Sequence, residues 1–120
     1  MPATAPKPGF PVRGSQTGKP IMALFDLLGR SWALGIVWQL SDAPMTFRQL
    51  QNRCETVSPT VLNKRLKELR VSALIDHDGT GYRLTPLGQE LFVLLKPLGG
   101  WSKRWAATLR DEDSHHDAAS

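Results

Sequence analysis

Residues 46–69, TFRQLQNRCETVSPTVLNKRLKEL, read as two short helices joined by a tight connection. Thr46 is placed to cap the first helix. Gln49, three residues on, completes a capping box that satisfies two otherwise orphaned backbone donors. Phe47 and Leu50 are its inward residues. Ser58-Pro59 then starts the second helix, because a serine oxygen takes a free amide and proline needs none at the first helical position. Leu62, Leu66 and Leu69 recur at helical spacing and define one buried face. At about 100° per residue, Thr60, Asn63, Lys64 and Lys67 point away from it.

A helix-turn-helix that reads DNA requires this division: leucines lock the helix to its domain while long polar side chains reach base edges and phosphates. The segment 58–70 holds four basic residues against one acid, Glu68. The candidate DNA contacts are therefore Ser58, Thr60, Asn63, Lys64, Arg65 and Lys67. A solvated helix face is the usual meaning of such charges. The preceding turn and the scarcity of acids favour DNA for Lys64 and Lys67. Arg65 sits at the flank of the leucine stripe, where a structural salt bridge competes with a phosphate contact. Glu68 is expected to pair with a neighbouring cation, Lys64 being four residues earlier, rather than touch DNA.

Working outward, a first helix is expected from near Pro20, with Ile21, Leu24, Phe25 and Leu28 on one face and Gly29 ending it. A second, from about Ser31 to Ser41, buries Ala33, Ile36, Val37 and Leu40; Ala43-Pro44 breaks it. Beyond the reading helix, residues 74–77 and 81–84 read as two short strands around Asp78-Gly79, a pair suited to the positive φ angles of tight hairpins. This hairpin is the expected wing, and Arg83 is its DNA-contact candidate. Thr85-Pro86 repeats the cap-plus-proline start and opens a helix with Leu87, Leu91, Leu94, Leu95 and Leu98. Pro97 and Gly99-Gly100 should kink or divide it before a last segment bearing Trp101, Trp105 and Leu109. Residues 1–18, rich in Pro, Gly, Ala and Thr, read as a disordered arm, and 111–120 as a flexible polar tail. The domain is thus 19–110, mainly α with a small β-hairpin: a winged helix-turn-helix.

The 120-residue chain is one domain's worth of sequence, with net charge +4 and a pI near 9.6, a balance that favours a polyanionic partner. No apolar run approaches the ~20 residues needed to span a bilayer, and residues 1–20 lack the continuous apolar segment of a secretory signal. One cysteine forms no internal disulfide, which suits a reducing cytoplasm. No Ser/His/Asp ordering, phosphate-cradling glycine loop or carboxylate cluster stands out, so an enzyme is not expected and no cofactor is called for. The stronger rival is a winged-helix module that contacts protein without binding DNA.

The element order resembles a winged helix-turn-helix regulator, and more narrowly the HxlR-type branch of the MarR-like superfamily. The matching residues are Leu27-Leu28-Gly29-Arg30-Ser31-Trp32, Phe47-Arg48-Gln49-Leu50, the run from Ser58 to Leu69, Leu84-Thr85-Pro86-Leu87-Gly88 and Trp101. The resemblance spans residues 19–106. It implies a homodimer, formed by N- and C-terminal helices, that binds an inverted-repeat operator on double-stranded DNA. The apolar residues available for that dimer are Ile21, Leu24, Phe25 and Leu28 near the start and Leu94, Leu98, Trp101 and Trp105 near the end. Two departures stand out. Many relatives carry a redox-sensing cysteine before the first helix, where this chain has Lys19, and the wing here is short, with Arg83 its only cation.

The remaining candidates have plainer readings. The tryptophans at 32, 38, 101 and 105 would line an effector pocket between subunits or, as the bulk of their rings favours, pack in the core and dimer interface. An unknown small-molecule effector stays open. Cys54 reads as a small buried hydrophobe rather than a redox switch, with Arg53 the one obvious nearby cation. His77 reads as a solvent-facing strand residue. His115-His116-Asp117, on a tail without further ligands, is poor architecture for a metal site.

Overall fold

Helix α2 (Ala33–Leu40) is the apolar hub, touching α1 (Pro20–Leu28), α3 (Phe47–Arg53), α4 (Pro59–Val71) and strand β2 (Gly81–Leu84). The computed structural model describes residues 5–54 and 56–119, with side chains as far as 112. Strand β1 (Ile75–Asp78) pairs antiparallel with β2, and α5 (Pro86–Leu95) and α6 (Pro97–Ala119) follow. The chain divides into two compact units, residues 1–89 and 90–120.

Within the first unit, the buried side of α2 is Ala33, Ile36, Val37 and Leu40, as its periodicity predicts. Leu50, Leu62, Leu66, Leu69 and Ile75 complete the core. Fully burying one such leucine is worth about 1.5–3 kcal/mol. α1 turns Ala23 and Leu27 inward. Ile21 and Phe25 are exposed, while Leu24 and Leu28 are half-buried. Before α2, Trp32 takes a left-handed backbone conformation, φ 71°, which is an outlier for a bulky residue.

Both reading-unit caps form as expected. Gln49 N–H donates to Thr46 Oγ1 (3.2 Å) and Thr46 N–H to Gln49 Oε1 (2.9 Å). Val61 N–H donates to Ser58 Oγ at 3.2 Å. α4 ends in a Schellman turn: Leu74 N–H bonds Leu69 O and Ala73 N–H bonds Arg70 O, both at 3.0 Å. Ala73, at φ 64°, occupies the position where glycine is usual. This turn aims the chain into β1, with Ile75 opposite Leu84 and Asp78 opposite Gly81.

The hairpin turn is built differently from the expected Asp-Gly pair. The loop is Gly79-Thr80, and Gly79 is not among the positive-φ residues. Asp78 Oδ1 instead accepts from Thr80 N–H (2.8 Å), Thr80 Oγ1 (2.6 Å) and Gly81 N–H (3.2 Å), so a side chain closes the turn. Gly81 is required by close approach, because a Cβ there would lie 2.9 Å from the Met45 carbonyl. Met45 and Tyr82 exchange two backbone bonds (2.9 and 2.7 Å), tying the entry to α3 against β2. At the exit, Thr85 Oγ1 accepts from Gly88 N–H (3.0 Å) and donates to Ala73 O (2.6 Å). A Cβ on Gly88 would collide with the Leu74 carbonyl.

Residues 1–4 lie outside the described residues. The stretch after them, expected to be unstructured, makes a tight turn: Gly9 N–H bonds Gly18 O (2.7 Å), and Val12 and Ser15 form a bridge. Arg13 Nε lies 3.4 Å from Asp26. In the second unit, Pro97 divides the helix, because α5 stops at Leu95 and α6 continues through Gly99-Gly100 to Ala119. The polar ending expected to fray is thus helical to Ala119, and the side chains of His115, His116 and Asp117 lie outside those described. Among the described residues no single helix is long and apolar enough to cross a membrane.

Candidate nucleic-acid interface

On α4 the inward and outward faces separate as the spacing predicts. Leu62, Leu66 and Leu69 are buried, while Ser58, Thr60, Asn63, Lys64 and Lys67 are exposed. Ser58 Oγ is engaged as the cap. Arg70 is also exposed. It lies three residues beyond Lys67 and extends the basic face; the same helical count would have found it. Lys64, Lys67 and Arg70 give this surface three cations among polar, base-sized side chains.

Of the two readings open for Arg65, the structure shows the salt bridge. The Arg65 side chain is only 14% exposed, and Nη1 sits 2.7 Å from Glu68 Oε1. Its Nε–H donates to the Ser31 carbonyl at 2.8 Å. Burial first, then the neighbouring Arg30 and Arg13 guanidiniums, lowers its pKa. The guanidinium is thus engaged by Glu68 and the Ser31 carbonyl rather than turned outward with Lys64 and Lys67. Glu68 pairs with a neighbouring cation as expected, though with Arg65 rather than Lys64. It is buried, and its partners are Arg65 and Arg30. Lys64 points away from the leucine stripe that Glu68 flanks. An ionised carboxylate in that setting requires paired, hydrogen-bonded neighbours.

The wing's expected DNA contact is also engaged. Arg83 Nε lies 3.3 Å from Asp76 Oδ1 and Nη1 lies 3.2 Å from Asp78 Oδ2. Hydrogen bonds from Thr80, and after them the Arg83 charge, hold the Asp78 carboxyl below the usual carboxylate range. The hairpin therefore sets two carboxylates against one guanidinium. His77 is exposed, as expected, with its ring centroid 4.3 Å from that of Tyr82.

Cys54 is buried at the end of α3, and desolvation pushes its thiol pKa up. Arg53, the cation considered as an activator, donates to Gln39 Oε1 at 3.4 Å. A buried thiol with a raised pKa forms the reactive thiolate less readily than a free one. The tryptophans do not join the core: Trp32 is half-buried, and Trp38, Trp101 and Trp105 are 40–54% exposed. Leu98, Trp101, Trp105 and Leu109 form an exposed stripe along α6, and the rings of Trp101 and Trp105 stack at 6.0 Å.

Residues 27–110 match the model of the HxlR-like helix-turn-helix family. The chain is 30% identical over 88 residues to an HTH-type transcriptional regulator of Methanocaldococcus jannaschii, covering 70% of this chain and 83% of that protein. It is 26% identical over 88 residues to the HTH-type transcriptional regulator YodB of Bacillus subtilis, covering 68% and 79%. The structure of quinone-bound YodB superposes with a TM-score of 0.65 at 27% identity, covering 70% of this chain and 96% of that one. A possible HxlR family transcriptional factor from Thermoplasma volcanium shares the fold with the same TM-score, at 24% identity and coverage of 71% and 83%. With its reading-unit caps, leucine-backed basic helix and two-stranded wing, this chain belongs to the HxlR-like helix-turn-helix family and is a DNA-binding transcriptional regulator rather than an enzyme.

Proposed function

We propose that the protein acts as a homodimer in the cytoplasm, inserting α4 of each protomer into successive major grooves of an inverted-repeat operator. The observation that carries this reading is the division of α4 between buried leucines and an exposed Thr60, Asn63, Lys64, Lys67 face. Asn63 has the amide that reads adenine edges, and the lysines suit phosphates. Replacing Thr60, Asn63, Lys64 and Lys67 together by alanine is expected to abolish specific duplex binding in a mobility shift while leaving the helical circular dichroism intact. Unchanged affinity would overturn the assignment of this helix.

The dimer follows from the size of the module. One reading helix with a self-neutralised wing offers few contacts, whereas a two-fold pair doubles them at a spacing of about 34 Å. Ile21 and Phe25 on α1, and Leu94, Leu98, Trp101 and Trp105 in the second unit, are exposed apolar side chains of the kind an interface covers. Phe25→Asp or Trp101→Asp should yield monomers in sedimentation and lose tight operator binding. A wild-type monomer at micromolar concentration that still binds a palindrome tightly would reject the dimer.

YodB is known in quinone-bound, reduced and diamide-treated forms. We infer that any effector of the present protein works without Cys54, whose thiol is buried and hard to ionise.

A further inference from the structure

The turn after α1 is fastened to the reading helix at two points. Arg30 pairs with Glu68, and Arg65 Nε–H donates to the Ser31 carbonyl at 2.8 Å while its Nη1 reaches Glu68 at 2.7 Å. The fastening continues along α1, because Asp26 lies 3.6 Å from Arg30 and 3.4 Å from Arg13. The next residue, Trp32, is held at φ 71°, a conformation that persists only where the surroundings over-determine it. α1 also presents Ile21 and Phe25 outward.

The leucines of α4 already supply its apolar attachment, and a buried ion triad is often replaceable by apolar side chains without loss of stability. What the triad adds is direction. Charge-assisted bonds from planar guanidiniums fix angles that leucine packing leaves free. We propose that Arg30, Glu68 and Arg65 form a strut between α1 and α4, and that these three positioning residues set the half-site spacing the protein accepts. The proposal rests on the dimeric reading above. If α1 contributes to the two-fold seam, the strut carries that seam's geometry to each reading helix. Inserting one base pair between half-sites moves them about 3.4 Å along the duplex and rotates one against the other. A rigid strut penalises that change and a loose one tolerates it.

The test uses full-length wild type, Glu68→Gln and the triple variant Arg30→Met/Glu68→Leu/Arg65→Met. The probes are the tightest palindrome recovered by in-vitro selection, the same duplex with one central base pair added or removed, and an unrelated duplex. Wild type should prefer native spacing by about tenfold, and the triple variant by about threefold or less. Dimer mass, salt slope and affinity for the unrelated duplex should stay unchanged, which a general loss of stability would not produce. Glu68→Gln should fall between. A spacing preference that persists in a folded triple variant overturns the strut. Should the triple variant not fold, Arg65→Lys keeps the charge but loses the planar fork, and an unchanged preference in that variant overturns the proposal equally. Failure of the dimeric reading looks different: wild type itself would ignore spacing, and the strut would fall with it.

Discussion

Two elements of this molecule have the outline of DNA contacts, and they handle charge in opposite ways. α4 buries its single acid against Arg30 and Arg65 and leaves Lys64, Lys67 and Arg70 exposed. The hairpin leaves its acids half-buried at the surface and sets its one guanidinium against them, Arg83 lying within 3.3 Å of both Asp76 and Asp78. Charge counted along the chain does not separate these cases. Which partner each cation already holds does, because a guanidinium facing two carboxylates has little left for a phosphate. This difference favours the helix over the wing as the proposed DNA contact, and the wing is tied to the core through Tyr82 and Met45.

Asn63→Ala should cost about 1–3 kcal/mol at particular base pairs and relax discrimination there, because a bidentate amide contact specifies sequence where a lysine does not. Binding titrations against a panel of single-base operator variants measure this, and a uniform loss across the panel would reassign Asn63 to the backbone. The wing should show a smaller effect of opposite sign. Asp76→Asn with Asp78→Asn removes two negative charges and frees Arg83, and should raise duplex affinity only slightly, by less than Asn63→Ala lowers it, as expected of solvent-screened charges. A drop in affinity would mean that these carboxylates orient Arg83 toward DNA.

Much of the core and of the reading helix was legible because the signals are local. The capping box at Thr46, the Ser58-Pro59 start, the Leu62/Leu66/Leu69 stripe and the Ala33/Ile36/Val37/Leu40 face each depend on residues within a few turns. Features set by distant partners were not legible. A salt bridge for Arg65 and a cation partner for Glu68 were foreseeable, but not their distant partners Ser31 and Arg30, more than thirty residues upstream. The inward side of α1 was ambiguous because PIMALFDLL is apolar almost all round; packing against distant segments, α2 among them, selects Ala23 and Leu27. The Asp-Gly signal placed the hairpin correctly and misread its chemistry, since the Asp78 carboxylate rather than a positive-φ glycine closes the turn. Arg83 was an exposed cation in the sequence, and the cross-strand register facing it with Asp76 decides its use.

The claim that α4, and not the wing, meets the phosphates is tested most directly by the salt dependence of duplex binding. Wild type, Lys64→Ala/Lys67→Ala and Arg83→Ala should be titrated against one duplex over a range of salt concentrations. Each phosphate neutralised contributes about 0.9 to the slope of log K against log salt. The lysine pair should flatten that slope by about 3.6 for a dimer with four lysines removed, and Arg83→Ala should leave it unchanged. A slope that survives loss of both lysines but collapses with Arg83 would contradict the account.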